Sequence, residues 1–154
     1  LTHEIDLACW YSGEPVRAVK SLFGTYSDIG IQAPDLVEIL VQFETCLAGI
    51  HLDFFSKPRC RVTELIGTEG MISVEFPAWE QCRLSTWRSA EGAWRTETLA
   101  TERDHMFREE DTEFLKAVVH GGGVTLGLDE ALKSLSIVCA AHAESVAEPL
   151  LSRR

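Results

Sequence analysis

The sequence predicts an α+β fold, a large and mostly antiparallel sheet with helices on one face and the other face available for self-association. Three observations lead there. Hydrophobic alternation of period two fills the middle of the chain, turn signals join neighbouring strands as hairpins, and helical periodicity brackets the strands at both ends. Six or more strands with a partly apolar second face would expose a large patch on a monomer, which predicts assembly into a homodimer or homotetramer through that face.

The elements follow in order. Leu1, Ile5, Ala8, Cys9 and Trp10 recur at roughly helical spacing, and Gly13 followed by Pro15 ends a short amphipathic helix where a C-cap belongs. From Val16 to Tyr26 and from Leu36 to Glu44 the period becomes two. Val37, Ile39, Val41 and Phe43 share one face, with Glu38, Gln42 and Glu44 on the other. LAGIHLDFF alternates likewise, and the short connection at Thr45 and Cys46 makes it the return strand of a hairpin.

CRVTELIGTEGMISVEFP reads as strand, turn, strand, with GTEG as a turn whose glycines suit positive φ. CRLSTWRS and AWRTETLA flank Glu91 and Gly92 as a third pair, bringing Trp87 near Trp94. After Asp104 helical spacing returns with Met106, Phe107, Glu110, Phe114 and Val118, ending at the glycines 121–123. A longer helix from about Leu128 carries Ala131, Leu132, Leu135, Val138, Cys139 and His142.

A chain of 154 residues is long enough for one domain with a proper core and too short for two comfortable ones. The formal net charge of −10, from 24 acids against 14 bases, excludes broad electrostatic attraction to nucleic acid or anionic membrane. No apolar run approaches the ~20 residues that span a bilayer. The five cysteines are odd in number and lack C-x-x-C spacing, which argues against a disulfide framework or thiolate zinc site and for a reduced, cytoplasmic setting.

Few motifs carry chemistry. HEIDL begins like H-E-x-x-H, but Leu7 stands where the second metal-binding His is required, so no metal site is expected. The triple glycine matches neither G-x-G-x-x-G nor a Walker loop, and a glycine cluster just after a helix is its C-cap. There is no G-x-S-x-G. His51 and His142 read as solvent-facing or satisfied residues, and His120 stands near a helix end, where an imidazolium favours the macrodipole. His3 and Asp6 lie at i and i+3 on one helix face, either a plain surface pair or a carboxylate beside an imidazole able to take and give a proton.

The stretch THEIDLACWYSGEPV resembles the start of the C-terminal domain of the Gfo/Idh/MocA oxidoreductases. That segment reads approximately G-G-x-x-x-D-x-x-x-H-x-x-D-x-x-x-W-x-x-G, and His3, Asp6, Trp10 and Gly13 fall at the matching spacing. LVQFETCLAGIHLDFF is similar to the family's strand pair, RVTELIGTEGMISVEF to its I-x-G-x-x-G turn, and DHMFREEDTEFLKAV to the helix after the sheet.

The resemblance implies the substrate-binding and oligomerisation portion of an oxidoreductase. Such an enzyme moves hydride between NAD or NADP and a sugar-like secondary alcohol, a sugar or nucleotide sugar. His3 corresponds to the family's catalytic histidine, with Asp6 supporting it. Lys57, Arg59 and Phe107 fall at substrate-contacting positions, although Phe107 replaces a Tyr of several relatives and loses a hydroxyl for hydrogen bonding to a polyol. The family's Rossmann domain, its E-K-P lysine and an Asp four residues before the His would precede Leu1. No cofactor site is therefore expected in this chain, and the isolated piece is expected to be inactive. The rival is a non-enzymatic sugar-sensing, regulatory or dimerisation module of the same fold.

Overall fold

The computed structural model describes residues 1–147. Three helices and seven strands run in the order α1 (Thr2–Ser12), β1 (Ala18–Gly24), β2 (Leu36–Gln42), β3 (Leu47–Asp53), β4 (Val62–Gly67), β5 (Gly70–Ala78), β6 (Gln81–Arg88), β7 (Ala93–Ala100), α2 (His105–His120) and α3 (Leu128–Ala147). This is the expected α+β arrangement. Its antiparallel strands form two sheets, three-stranded β1-β2-β3 and four-stranded β4-β5-β6-β7. The chain divides accordingly into two compact units, one of residues 1–55 with the segment from Thr125 onward, the other of residues 56–124.

The first unit holds the main core. Cross-strand pairing sets Val19 against Val41 and Val41 against Ala48, and likewise Ser21 against Ile39 and Ile39 against Ile50. The alternation therefore delivers one row of side chains per strand to the same face. Onto that face pack Ile5 of α1 and Ile137 and Ala141 of α3, clustered with Ile39, Val41, Phe43 and Ile50. Ile5, Val41 and Ala141 have no exposed surface. Burying each large aliphatic side chain contributes about 1.5–3 kcal/mol, so this cluster dominates the unit's stability. Ser21 Oγ donates to the Ala141 carbonyl at 2.5 Å, tying α3 to the edge strand.

The opposite face of this sheet carries Leu22, Leu40 and Leu47, all exposed, beside Glu38 and His51. His51 Nδ1 meets Glu38 Oε1 at 2.5 Å and its Nε2 meets Asp53 Oδ2 at 3.1 Å. The hydrogen bond to Glu38, then that to Asp53, raises its pKa above the usual imidazole value.

Between β1 and β2 the chain makes a loop held by Asp35, whose carboxylate accepts from the Tyr26 and Ser27 amides at 2.7 and 2.8 Å and from Ser27 Oγ at 2.5 Å. Three donors on one carboxylate, the Ser27 hydroxyl foremost, hold the Asp35 pKa below its ordinary value despite burial. The backbone N–H of Asp35 also closes on the Gly24 carbonyl at 2.9 Å, so both ends of the loop meet at one residue.

In the second unit, β4 to β7 form an antiparallel meander, and Trp87 pairs directly with Trp94 as the alternation suggests. The turn between β4 and β5 departs from expectation. Neither Gly67 nor Gly70 has positive φ; a side chain at Gly70 would instead place its Cβ 2.1 Å from the Trp87 carbonyl oxygen, so close approach of β6 requires glycine there. Gly92, in the β6–β7 turn, does adopt φ 64°. α2 buries none of its side chains, and Phe107, Phe114, Leu115 and Val118 stay exposed along its apolar stripe. The helical layer that covers a sheet is thus α1 with α3. Among the described residues no helix is long and apolar enough to cross a membrane.

Two outcomes test this packing. Ile39→Ala should lower the unfolding free energy by about 2–5 kcal/mol in a denaturant titration, because its site is enclosed from both layers. Asp35→Asn should lower the melting temperature at neutral pH. A depressed folded-state pKa stabilises above the unfolded value, and that contribution disappears as pH falls through the folded one, so the gap between wild type and variant should close below about pH 4.

Candidate functional site

α1 begins the site. Its buried side is set by Ile5, and Leu1, Ala8 and Cys9 pack partly against the same core. Gly13 ends the helix in the left-handed region with φ 63°, its N–H reaching the Cys9 carbonyl at 3.0 Å. With Ile5 turned inward, His3 and Asp6 emerge together on the flank that faces the start of α3. A shallow cleft of about 200 Å³ lies between the helices. Thr2, His3 and Asp6 form one wall, while Glu130, Ala131 and Ser134, with Leu126 and Gly127 before them, form the other.

The polar groups of this cleft are partnered unevenly. Ser134 is buried, and its hydroxyl donates to Asp6 Oδ1 at 2.7 Å, joining two helices 128 positions apart in sequence. Glu130 Oε1 accepts from Lys133 Nζ at 2.6 Å, and this bond raises the lysine pKa. His3 is exposed, and no described residue hydrogen-bonds or ion-pairs with it. Its imidazole is accordingly available to a molecule entering the cleft. Cys9, half-buried behind this wall, has its thiol pKa pushed up by burial and then by the negative charge of Asp6, with Glu130 adding to the effect and Lys133 opposing it.

Lys57, Arg59 and Phe107 belong to the second unit. Lys57 and Arg59 are exposed on the segment before β4, and Phe107 lies in the first turn of α2, 54% exposed. The Arg59 guanidinium stacks 4.6 Å from the Trp79 ring centroid, with Arg103 on the same ring at 5.8 Å. Both guanidinium groups thus lie within cation–π range of one indole.

Among the described residues no three His, Cys, Asp or Glu side chains converge to hold an ion. Gly121 and Gly122 have φ of 72° and 133°, but they follow the last turn of α2, whereas a pyrophosphate loop joins a strand to a helix N-terminus.

His3 and Asp6, singled out by their spacing, both line this cleft, whereas no local pattern points to Ser134 or Glu130. The helical spacing through Ala131, Leu132, Leu135, Val138, Cys139 and His142 is met in part: Val138 packs against the core, Leu132 and Leu135 are about half exposed, and the buried residues are Ser134, Ile137 and Ala141. Spacing of three and four was a signal for that stripe. A serine within it reads as a break until its partner, Asp6, is known.

Residues 1–73 match the family model for the GFO/IDH/MocA C-terminal domain. That part of the chain, 73 of its 154 residues, is similar to the family's C-terminal domain. A search of curated protein sequences gives no match. Among solved structures, aldose-aldose oxidoreductase from Caulobacter crescentus complexed with glycerol superposes with a TM-score of 0.79 at 16% identity, covering 94% of this chain and 43% of that one. Levoglucosan dehydrogenase in complex with NADH and levoglucosan gives 0.78 at 19% identity, covering 96% and 47%. GenD2 from gentamicin A biosynthesis in complex with NAD gives 0.71 at 20%, covering 95% and 44%. At these identities the similarity establishes the fold. The chain spans less than half the length of these Gfo/Idh/MocA-type structures.

The electrostatics of the cleft wall have a direct chemical readout. Iodoacetamide should modify exposed Cys46, Cys60 and Cys139 well before Cys9 at pH 8, followed by mass spectrometry, and neutralising the nearby charge in Asp6→Asn should speed Cys9 relative to the other thiols.

Proposed function

We propose that this chain is the substrate-binding and oligomerisation portion of an NAD(P)-dependent oxidoreductase that acts on a sugar-like secondary alcohol. The observation that carries the reading is the position of His3. It matches the family's histidine in sequence register and stands exposed on a cleft wall with no protein partner among the described residues. An imidazole so placed accepts the proton of a substrate hydroxyl, the acid–base half of an alcohol oxidation.

The nicotinamide of such an enzyme supplies the hydride acceptor and is held outside the described residues of this chain. What these residues do is bind and orient the alcohol and receive its proton. Thr2 and the Glu130 carboxylate offer hydroxyl-compatible partners around His3, while Leu126 and Ala131 give the cleft an apolar patch suited to the carbon face of a sugar. Lys57, Arg59 and Phe107 are assigned as substrate contacts on the strength of the family resemblance. The exposed cationic groups of Lys57 and Arg59 suit an acidic sugar or nucleotide sugar.

The exposed Leu22, Leu40 and Leu47 of the first sheet's uncovered face favour a homodimer or homotetramer formed there. The five free thiols accord with a cytoplasmic setting.

The test uses the protein containing this chain together with its nucleotide-binding part. His3→Ala should reduce turnover by about a hundredfold or more with the circular dichroism spectrum intact, as expected for loss of a positioned acid–base group. Unchanged turnover would instead favour a sensing or dimerisation module in which His3 moves no proton.

A further inference from the structure

We infer that Ser134 is a positioning residue for His3: by binding Asp6 from α3, it holds the carboxylate away from the imidazole and leaves His3 free to face the cleft. Spacing at i and i+3 ordinarily lets an Asp and a His on one helix meet. Here they do not. Asp6 spends one oxygen on the Ser134 hydroxyl at 2.7 Å, and no hydrogen bond or ion pair joins it to His3, although both side chains line the same cleft.

The bond is specified rather than incidental. Ser134 occupies the same buried stripe as Ile137 and Ala141, where an unpartnered hydroxyl is destabilising, and Asp6 is its partner across the helix pair. The hydroxyl must therefore stay bonded while α3 is packed, and the carboxylate with it. Side-chain torsion about Asp6 is thereby fixed toward α3. Were the serine absent, Asp6 would regain its rotamers, and the nearest cation it could form on its own helix face would be the His3 imidazolium.

This arrangement has a chemical consequence. An imidazole hydrogen-bonded to a carboxylate has one nitrogen committed and its cationic form favoured. One kept apart retains both nitrogens for a ligand. The other charged groups facing the cleft are Glu130, already bonded to Lys133, and their pairing does not involve Ser134. Its removal therefore changes Asp6 selectively.

The inference rests on the acid–base reading of His3 for its functional meaning, but its test does not require activity. The Hε1 resonance of His3 is followed against pH by NMR in the chain itself. In Ser134→Ala the midpoint should move to higher pH by roughly 0.3 unit, the size expected of a helical i, i+3 ion pair. Ser134→Thr, which keeps the hydroxyl, should leave it unmoved. Asp6→Asn in the Ser134→Ala background should abolish the rise, and His51, away on the sheet, should titrate unchanged throughout and so report an intact fold. An unchanged His3 midpoint in Ser134→Ala with an unchanged His51 profile would overturn the inference, as would a rise that persists when Asp6 is also replaced. Loss of turnover in His3→Ala together with a flat Ser134→Ala titration would retain the proposed function and reject the positioning role.

Discussion

The packing of α1 and α3 onto the inner face of β2 is the constraint on which the rest depends. Ile5 clusters with Ile39 and Val41, and α3 adds Ile137 and Ala141 to the same core. Ala141 is small enough to let the helix approach the sheet, close enough for its carbonyl to accept from Ser21. Interiors of this kind are packed to crystal-like density, so the orientation of each helix is set within narrow limits. Once Ile5 is turned inward, the direction of every other α1 side chain follows from the helical period. His3 and Asp6 then have no choice but to flank α3.

Electrostatics act within that frame rather than creating it. Net charge of −10 keeps the surface acidic, yet the carboxylates that matter are individually satisfied. Asp35 gathers three donors to close the β1–β2 loop, and Asp6 takes the one hydroxyl buried in the helix interface. Each buried oxygen is bonded because an unsatisfied one would cost more than the bond contributes. His3 is exposed and has no such partner among the described residues, and its imidazole beside Asp6 and Glu130 is the feature that gives the cleft chemical meaning.

The second unit shows how local rules and tertiary demands differ. The turn at Gly67 and Gly70 looks like a positive-φ turn by composition, and its glycine is required for another reason, the close passage of the Trp87 carbonyl. The apolar stripe of α2 promises a helix laid on a sheet, but none of its side chains is buried. Periodicity reports that a face is apolar and does not report what covers it.

What the sequence determined by itself is the order and type of the elements. Strand alternation through Leu36–Gln42 and Leu47–Asp53, the Gly13 cap, the helical ends and the motif joining His3, Asp6, Trp10 and Gly13 are all local patterns, written in neighbouring residues. The parting of the strands into two sheets, the phase of α3 and the partner of Asp6 were decided by tertiary structure. The last two depend on contacts between residues more than a hundred positions apart, for which no single stretch carries a signal. Ser134 is the plainest case: a polar residue in a buried stripe looks like an error in the pattern until α1 brings a carboxylate to it.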